Sequence, residues 1–298
     1  MLLQSNQKPN PTNFKQTSTP LHYTYDKETG RFGGLFRTMA TPMKKRRKAI
    51  KITFDKEEHC SKNGNEQSAD TEESPLWMKH LENIKQMRSN WDAPVDSMGC
   101  HMLADALAEP KVFRFQTLLS LMLSSQTKDH ITAAAMHRLR THGCTVDDLI
   151  VISTEELQQL LIPVGFYKKK AIYIKKVAEI LKEHYDGDIP NTVEGLCSLP
   201  GVGEKMAYLA MHTAWDQMEG LGVDTHVHRI SNRLGWIKTS NPKESRIALE
   251  ALVPREQWQE LNKLLVGFGQ QMCLPILPKC SECLNKNICA AIGVKKKR

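Results

Sequence analysis

The chain has 298 residues, 40% of them hydrophobic and 6% aromatic, enough to bury one large core or two smaller ones. A net charge of +8 suggests a polyanionic partner. No apolar run approaches the roughly 18 residues of a membrane helix, so no membrane span is expected.

The charge is uneven. Residues 1–50 hold ten Lys/Arg against two acids, and residues 51–75 hold three against seven. About +4 is therefore left for the body of the chain, which is only mildly basic. Residues 1–75 are rich in Gln, Asn, Thr, Ser, Pro and Lys, with no sustained periodicity, and read as a disordered basic/acidic tail with targeting signals. Met1-Leu2-Leu3 is followed by polar residues, so no secretory signal is read there. Lys44-Lys45-Arg46-Arg47-Lys48 is a basic cluster of the nuclear-import type, or else a solvated tail that touches nucleic acid. The first 25 residues hold no acid, which permits a mitochondrial presequence, but they are poor in Arg. A nuclear address is expected, with a mitochondrial one also open.

From Trp77 onward the patterns are helical. Leu118, Leu119, Leu121, Met122 and Leu123 form an apolar stripe, and residues 127–139 continue as a helix. Further helices are predicted over 155–161, 169–183, 193–198, 205–215, 227–234, 243–252 and 258–269. No segment alternates as a strand between hairpin turns, so the body is all-α.

Leu199-Pro200-Gly201-Val202-Gly203-Glu204-Lys205 joins two of these helices. Pro200 stops the first, and Gly201-Val202-Gly203 makes a tight turn that brings backbone N–H groups to the start of the second. N–H groups at such a start bind phosphate, so the turn can grip a nucleic-acid backbone without reading its sequence. Otherwise it is a plain helix–turn–helix corner. Lys205 lies in the first turn of the new helix, where its amine could attack a sugar carbon or simply meet a phosphate.

Nineteen residues on, Asp224 precedes another helix. It could cap that helix, move a proton beside Lys205, or do both. His226 and His228 stand two apart, on different sides of a helix, which argues against metal ligation. Cys273, Cys280, Cys283 and Cys289 follow the spacing C-x6-C-x2-C-x5-C, too close for two ordinary disulfides and suited to one metal centre in a reducing compartment. Cys60, Cys100, Cys144 and Cys197 are scattered and read as free thiols.

Together the hairpin, the segment from Val223 to Arg229 and the cysteine run resemble the endonuclease III branch of the helix–hairpin–helix DNA glycosylases, over about residues 85–290. The resemblance implies two helical lobes flanking a DNA-binding cleft. One would be a six-helix barrel domain with the helix–hairpin–helix over 107–217, the other an iron–sulfur cluster domain formed from 76–106 and 218–298. It implies a monomer that excises oxidised pyrimidines from double-stranded DNA and nicks abasic sites. Lys205 would be the nucleophile at C1′ of a flipped nucleotide, Asp224 its partner in proton transfer, and the four cysteines the ligands of a [4Fe–4S] cluster, with zinc the alternative. It further implies that Gln126 fills the hole left by the extruded nucleotide and that Phe166 wedges between bases. Otherwise Phe166 is ordinary core and Gln126 caps a turn. Lys168, Lys169 and Lys170 either meet phosphates or form a solvated face. Glu204 stands where relatives often carry a basic residue, which would weaken one phosphate contact.

Two competitors remain. Mismatch-specific glycosylases of the same superfamily lack a lysine at the position of Lys205, and the 8-oxoguanine branch lacks the cysteine run. A non-catalytic helix–hairpin–helix DNA-binding module would have no use for Lys205 and Asp224 together.

Overall fold

The computed structural model describes residues 74–295. The basic run from Lys44 to Lys48, the acid-free first 25 residues and Cys60 lie outside the described residues. Those that are described form twelve α-helices and no strand. They are α1 (Leu76–Met87), α2 (Pro94–Met98), α3 (Pro110–Ser124), α4 (Asp129–His142), α5 (Val146–Val151), α6 (Thr154–Leu161), α7 (Tyr167–His184), α8 (Val193–Ser198), α9 (Glu204–Trp215), α10 (Thr225–Leu234), α11 (Pro242–Leu252) and α12 (Trp258–Gln271).

Two hydrophobic cores organise them. The first is built from residues between Leu103 and Met211. Its centre is α3, which is buried continuously from Phe115 to Leu123 and packs chiefly against α9. A helix apolar on nearly every side has to be surrounded, and α4, α7 and α9 surround it. Its polar positions are satisfied locally: Ser120 Oγ donates to Cys100 O (3.0 Å), and Gln116 Oε1 accepts from Asp105 N (2.8 Å).

The second core takes Leu81 and Ile84 from α1 and then residues from Leu221 to Cys273. In α10, Val227, Ile230, Ser231 and Leu234 recur at helical spacing and face inward. This core is closed by ties from α1 to the cysteine loop. Trp236 Nε1 donates to His80 Nδ1 (2.9 Å), which leaves His80 Nε2 to meet Ile288 O (3.1 Å). Asn83 Nδ2 donates to Asn285 Oδ1 (2.8 Å), and Asn285, fully buried, donates back to His80 O (3.2 Å).

Several features differ from the sequence reading, which also set out no separate α1 or α2. Helix α4 begins at Asp129 and not at residue 127, because Gln126 is left-handed (φ 51°) and Lys128 extended. Helix α5 was not expected, although Thr145 and Asp148 cap it reciprocally, a recognisable start signal. Lys170 is neither a phosphate contact nor part of a solvated face: it is buried at 7% exposure.

The hairpin glycines have different structural reasons. Gly201 has φ +82°, and a Cβ there would meet the Tyr173 ring at 2.6 Å. Gly203 has φ −113°, and a Cβ would stand in open space. Gly201→Ala is therefore expected to lower the unfolding free energy by about 2 kcal/mol, and Gly203→Ala by at most about 1 kcal/mol through its poorer helix cap. Urea denaturation of the two variants side by side checks this; equal losses would contradict it.

Candidate active site

Lys205 and Asp224 line one cavity of about 520 Å³. Its walls come from both cores: Leu121 and Leu209 from the first, Val223 and Val266 from the second. Lys205 is exposed in the first turn of α9. Behind it, Leu199 and Val202 are buried and anchor the hairpin. The Val202 N–H is spent inside the turn on Leu199 O (3.1 Å), and no side chain caps α9.

Asp224 is half-buried and caps α10, with Oδ1 accepting from Val227 N at 2.8 Å. Asn262 Nδ2 holds the preceding segment by donating to Gly222 O (2.6 Å). His226 lines the same cavity. Burial lowers its pKa, and the nearby Asp224 carboxylate only partly offsets that. Its Nδ1 faces Arg229 Nη2 at 3.2 Å and accepts from that guanidinium, while His228 Nδ1 meets Ser245 Oγ at 2.6 Å. The two imidazoles thus serve separate contacts, as their spacing implies. Glu204 pairs with Lys243 (2.7 Å), whose ammonium holds its exposed carboxyl below the usual range.

Gln126 also lines this cavity, and joins Phe166 and Gly201 around a second one of about 270 Å³. Phe166 is 66% exposed, so it is not core. Both residues hold left-handed backbone, at φ 51° and 56°. Non-glycine residues rarely do so, which makes these positions candidates for function.

The four cysteines of the C-terminal run line a small cavity of about 60 Å³ walled by Leu234, Phe268 and Met272. Among the described residues no three His, Cys, Asp or Glu side chains gather tightly enough for a single ion. Arg233 Nη1 donates to Cys273 Sγ (3.4 Å) and to Leu274 O (2.8 Å). Arg229 Nη2 donates to Cys273 O (2.9 Å), and Ala291 N to Cys289 Sγ (3.3 Å). Burial raises the thiol pKa of Cys283 and Cys289, so a metal must displace protons to bind there. Cys100, Cys144 and Cys197 are free thiols, and burial pushes Cys144 up to about 12.

Sequence reasoning missed three contributors. Lys170 and Thr127 support the Gln126 turn. Arg233 reaches the cysteine cavity, and its one available signal was a second arginine one helical turn before it on α10.

Comparison with known proteins places the chain in a family. Residues 119–255 match the HhH-GPD superfamily of base excision DNA repair proteins. The chain is 57% identical over 215 residues to endonuclease III-like protein 1 of Gallus gallus, covering 72% of this chain and 76% of that one. It is 51% identical over 258 residues to the Bos taurus protein of the same name, covering 84% of each. A trapped endonuclease III–DNA covalent intermediate superposes with a TM-score of 0.63 at 27% identity, covering 72% of this chain and 94% of that one. The fold is therefore that of the helix–hairpin–helix base excision repair proteins. Within that class the chain belongs to the endonuclease III family, the DNA glycosylase/abasic-site lyases.

The capping contact of Asp224 can be tested. Asp224→Ala should cost about 1 kcal/mol of stability by losing the cap, whereas Asp224→Asn, an equally good cap, should stay within about 0.5 kcal/mol of the parent. Thermal unfolding of both variants reads the difference; an Asn variant as weak as the Ala one would remove Asp224 from the cap.

Proposed function

We propose that this enzyme excises oxidised pyrimidines from double-stranded DNA and then nicks the strand through an imine on Lys205. One observation carries the reading: Lys205 and Asp224 line a single cavity where the two cores meet. A relative of the same fold has been trapped as a covalent intermediate with DNA, which supports covalent chemistry here.

The steps follow from the groups present. The Lys205 Nζ lone pair attacks C1′ of the flipped nucleotide, and the bond to the base breaks with its electron pair leaving on the base. Asp224 stabilises the positive charge that develops on the sugar and carries the proton between amine and ring oxygen. The ring opens to an imine. Loss of a C2′ proton then expels the 3′ phosphate, and water releases the lysine from the cleaved strand. Meanwhile the hairpin at Gly201 and Gly203 holds the strand by backbone N–H groups and by the positive end of α9. A Cβ at Gly203 would stand in open space, so the hairpin is uncovered by protein there. Gln126 occupies the vacated position in the duplex, and Phe166 enters between neighbouring bases.

Cys273, Cys280, Cys283 and Cys289 would hold a [4Fe–4S] cluster. Four soft sulfurs around one largely apolar cavity, two of them receiving N–H donors, fit such a group. A single zinc, with bonds of about 2.3 Å, needs its sulfurs drawn closer together. When bound, the cluster supplies a cross-link that orders the C-terminal loop against α10 and α12. The first core would form the barrel lobe over 107–217, and the second the cluster lobe from 76–106 and 218–298. The enzyme would act as a monomer, with the Lys44–Lys48 run directing it to the nucleus.

Borohydride reduction during turnover on a duplex holding an oxidised pyrimidine should yield a covalent protein–DNA adduct. Lys205→Gln should abolish that adduct while retaining DNA binding. Substantial strand cleavage by that variant would move the nucleophile elsewhere. Cys280→Ser should remove the absorbance near ~400 nm that the cluster confers; an unchanged spectrum and iron content would rule out this ligand set.

A further inference from the structure

Gln126 and Phe166 share one foundation. Lys170 lies buried beneath the α3–α4 turn. Its ammonium donates to Leu123 O (2.7 Å), Ser125 O (2.6 Å) and Thr127 Oγ1 (3.1 Å), the full complement of three donors. Leu123 is in the last turn of α3, where carbonyls lack partners inside the helix and a cation is favoured. Thr127 carries the connection onward. Its hydroxyl accepts from Gly165 N (3.2 Å) and donates to Ser125 O (3.2 Å). Gly165 is pressed so closely onto the turn that a Cβ would stand 2.6 Å from Gln126 O. The Lys170 N–H in turn donates to Phe166 O (3.0 Å). One buried side chain therefore joins the turn that presents Gln126 to the turn that presents Phe166.

We propose that Lys170 is the positioning residue of the extrusion step, locking both turns into one rigid unit so that Gln126 and Phe166 enter the duplex together. This rests on the roles proposed above for those two residues. Burial lowers the pKa of Lys170 to about 8, which still leaves it charged at neutral pH. Without the ammonium, two buried carbonyls lose their donor and two left-handed residues lose their restraint. The burden falls on duplex substrates, where a hole must be filled. It does not fall on an abasic site in a single strand, which needs no extrusion. A built-in control lies five residues along α7. Lys175 donates to Ile150 O (2.7 Å) and Ile152 O (2.6 Å), a similar ammonium-to-carbonyl strut away from both turns.

Single-turnover rates on a lesion duplex and on a single-stranded abasic oligonucleotide test the proposal in Lys170→Met, Thr127→Val, Lys175→Met and Gln126→Ala. Thr127→Val keeps the shape and leaves the lysine in place, so it serves if Lys170→Met does not fold. Lys170→Met and Thr127→Val should slow the duplex reaction by ~10-fold or more and change single-strand nicking by less than ~2-fold. A 2-aminopurine opposite the lesion should brighten less on binding either variant. Added to a Gln126→Ala/Phe166→Ala double variant, Lys170→Met should cost less than a further ~2-fold, because those two side chains are what it positions. Equal slowing on both substrates, full multiplication with that double variant, or the same selectivity in Lys175→Met would overturn the inference. If Gln126→Ala itself shows no duplex selectivity while Lys170→Met does, the role given to Gln126 fails and the positioning role stands through Phe166. If Gln126→Ala is selective and Lys170→Met is not, this inference alone fails.

Discussion

An α-helix leaves the N–H groups of its opening turn without partners of its own, and the candidate site is assembled from such openings. Asp224 opens α10, Gly203 opens α9 with Lys205 in its first turn, Phe166 opens α7, and Gln126 lies just ahead of α4. Each opening is backed by buried residues of the helix behind it, such as Val227 in α10 and Ala207 in α9. Irregular residues thereby gain the positional accuracy of the regular elements that follow them. The same openings point the positive ends of helix dipoles outward, which suits a polyanion better than any arrangement of flexible lysines.

The second constraint is the meeting of two cores. Lys205 belongs to a helix of the first, and Asp224 precedes a helix of the second. Their common cavity exists only because the cores abut. Gln270 reinforces the join from α12, donating to Asp129 Oδ2 (2.7 Å) and accepting from Val95 N (3.0 Å). By contrast the exposed pair Glu204–Lys243 is screened by solvent and contributes little to stability. Its effect is on charge: the Lys243 ammonium neutralises the carboxylate beside the hairpin.

Much of this was legible in the sequence, for local reasons. Apolar periodicity marks the inward face of α7 at Ile174, Val177 and Leu181, though it also takes in Ile172, which is exposed, and the Pro-Gly-x-Gly turn marks the hairpin. The cysteine spacing predicts that the four thiols gather, and the structure places all four around one cavity. What escaped reading depends on contacts distant along the chain. Lys170 is the third lysine of a run whose members look alike in one dimension. Its burial is decided by carbonyls 45 and 47 residues upstream, and backbone carbonyls carry no signature in a sequence. The start of α4 was misplaced for a related reason, since the Thr127 hydroxyl is engaged by Gly165, 38 residues away. The capping pair of α5, Thr145 and Asp148, is by contrast a local signal that the sequence carries in full.

The closure of the second core by α1 bears on how the protein is made. The bonds from His80 and Asn83 to the cysteine loop span 208 and 202 residues. On the ribosome α1 emerges ahead of the other helices, its apolar side uncovered, while residues 103–211 can already assemble around α3. Its core partners, from Leu221 through α12, are made only later, and its ties to the cysteine loop last. The nascent chain therefore carries a sticky amphipathic segment through most of its translation, and a chaperone that shields short apolar helices would find it there.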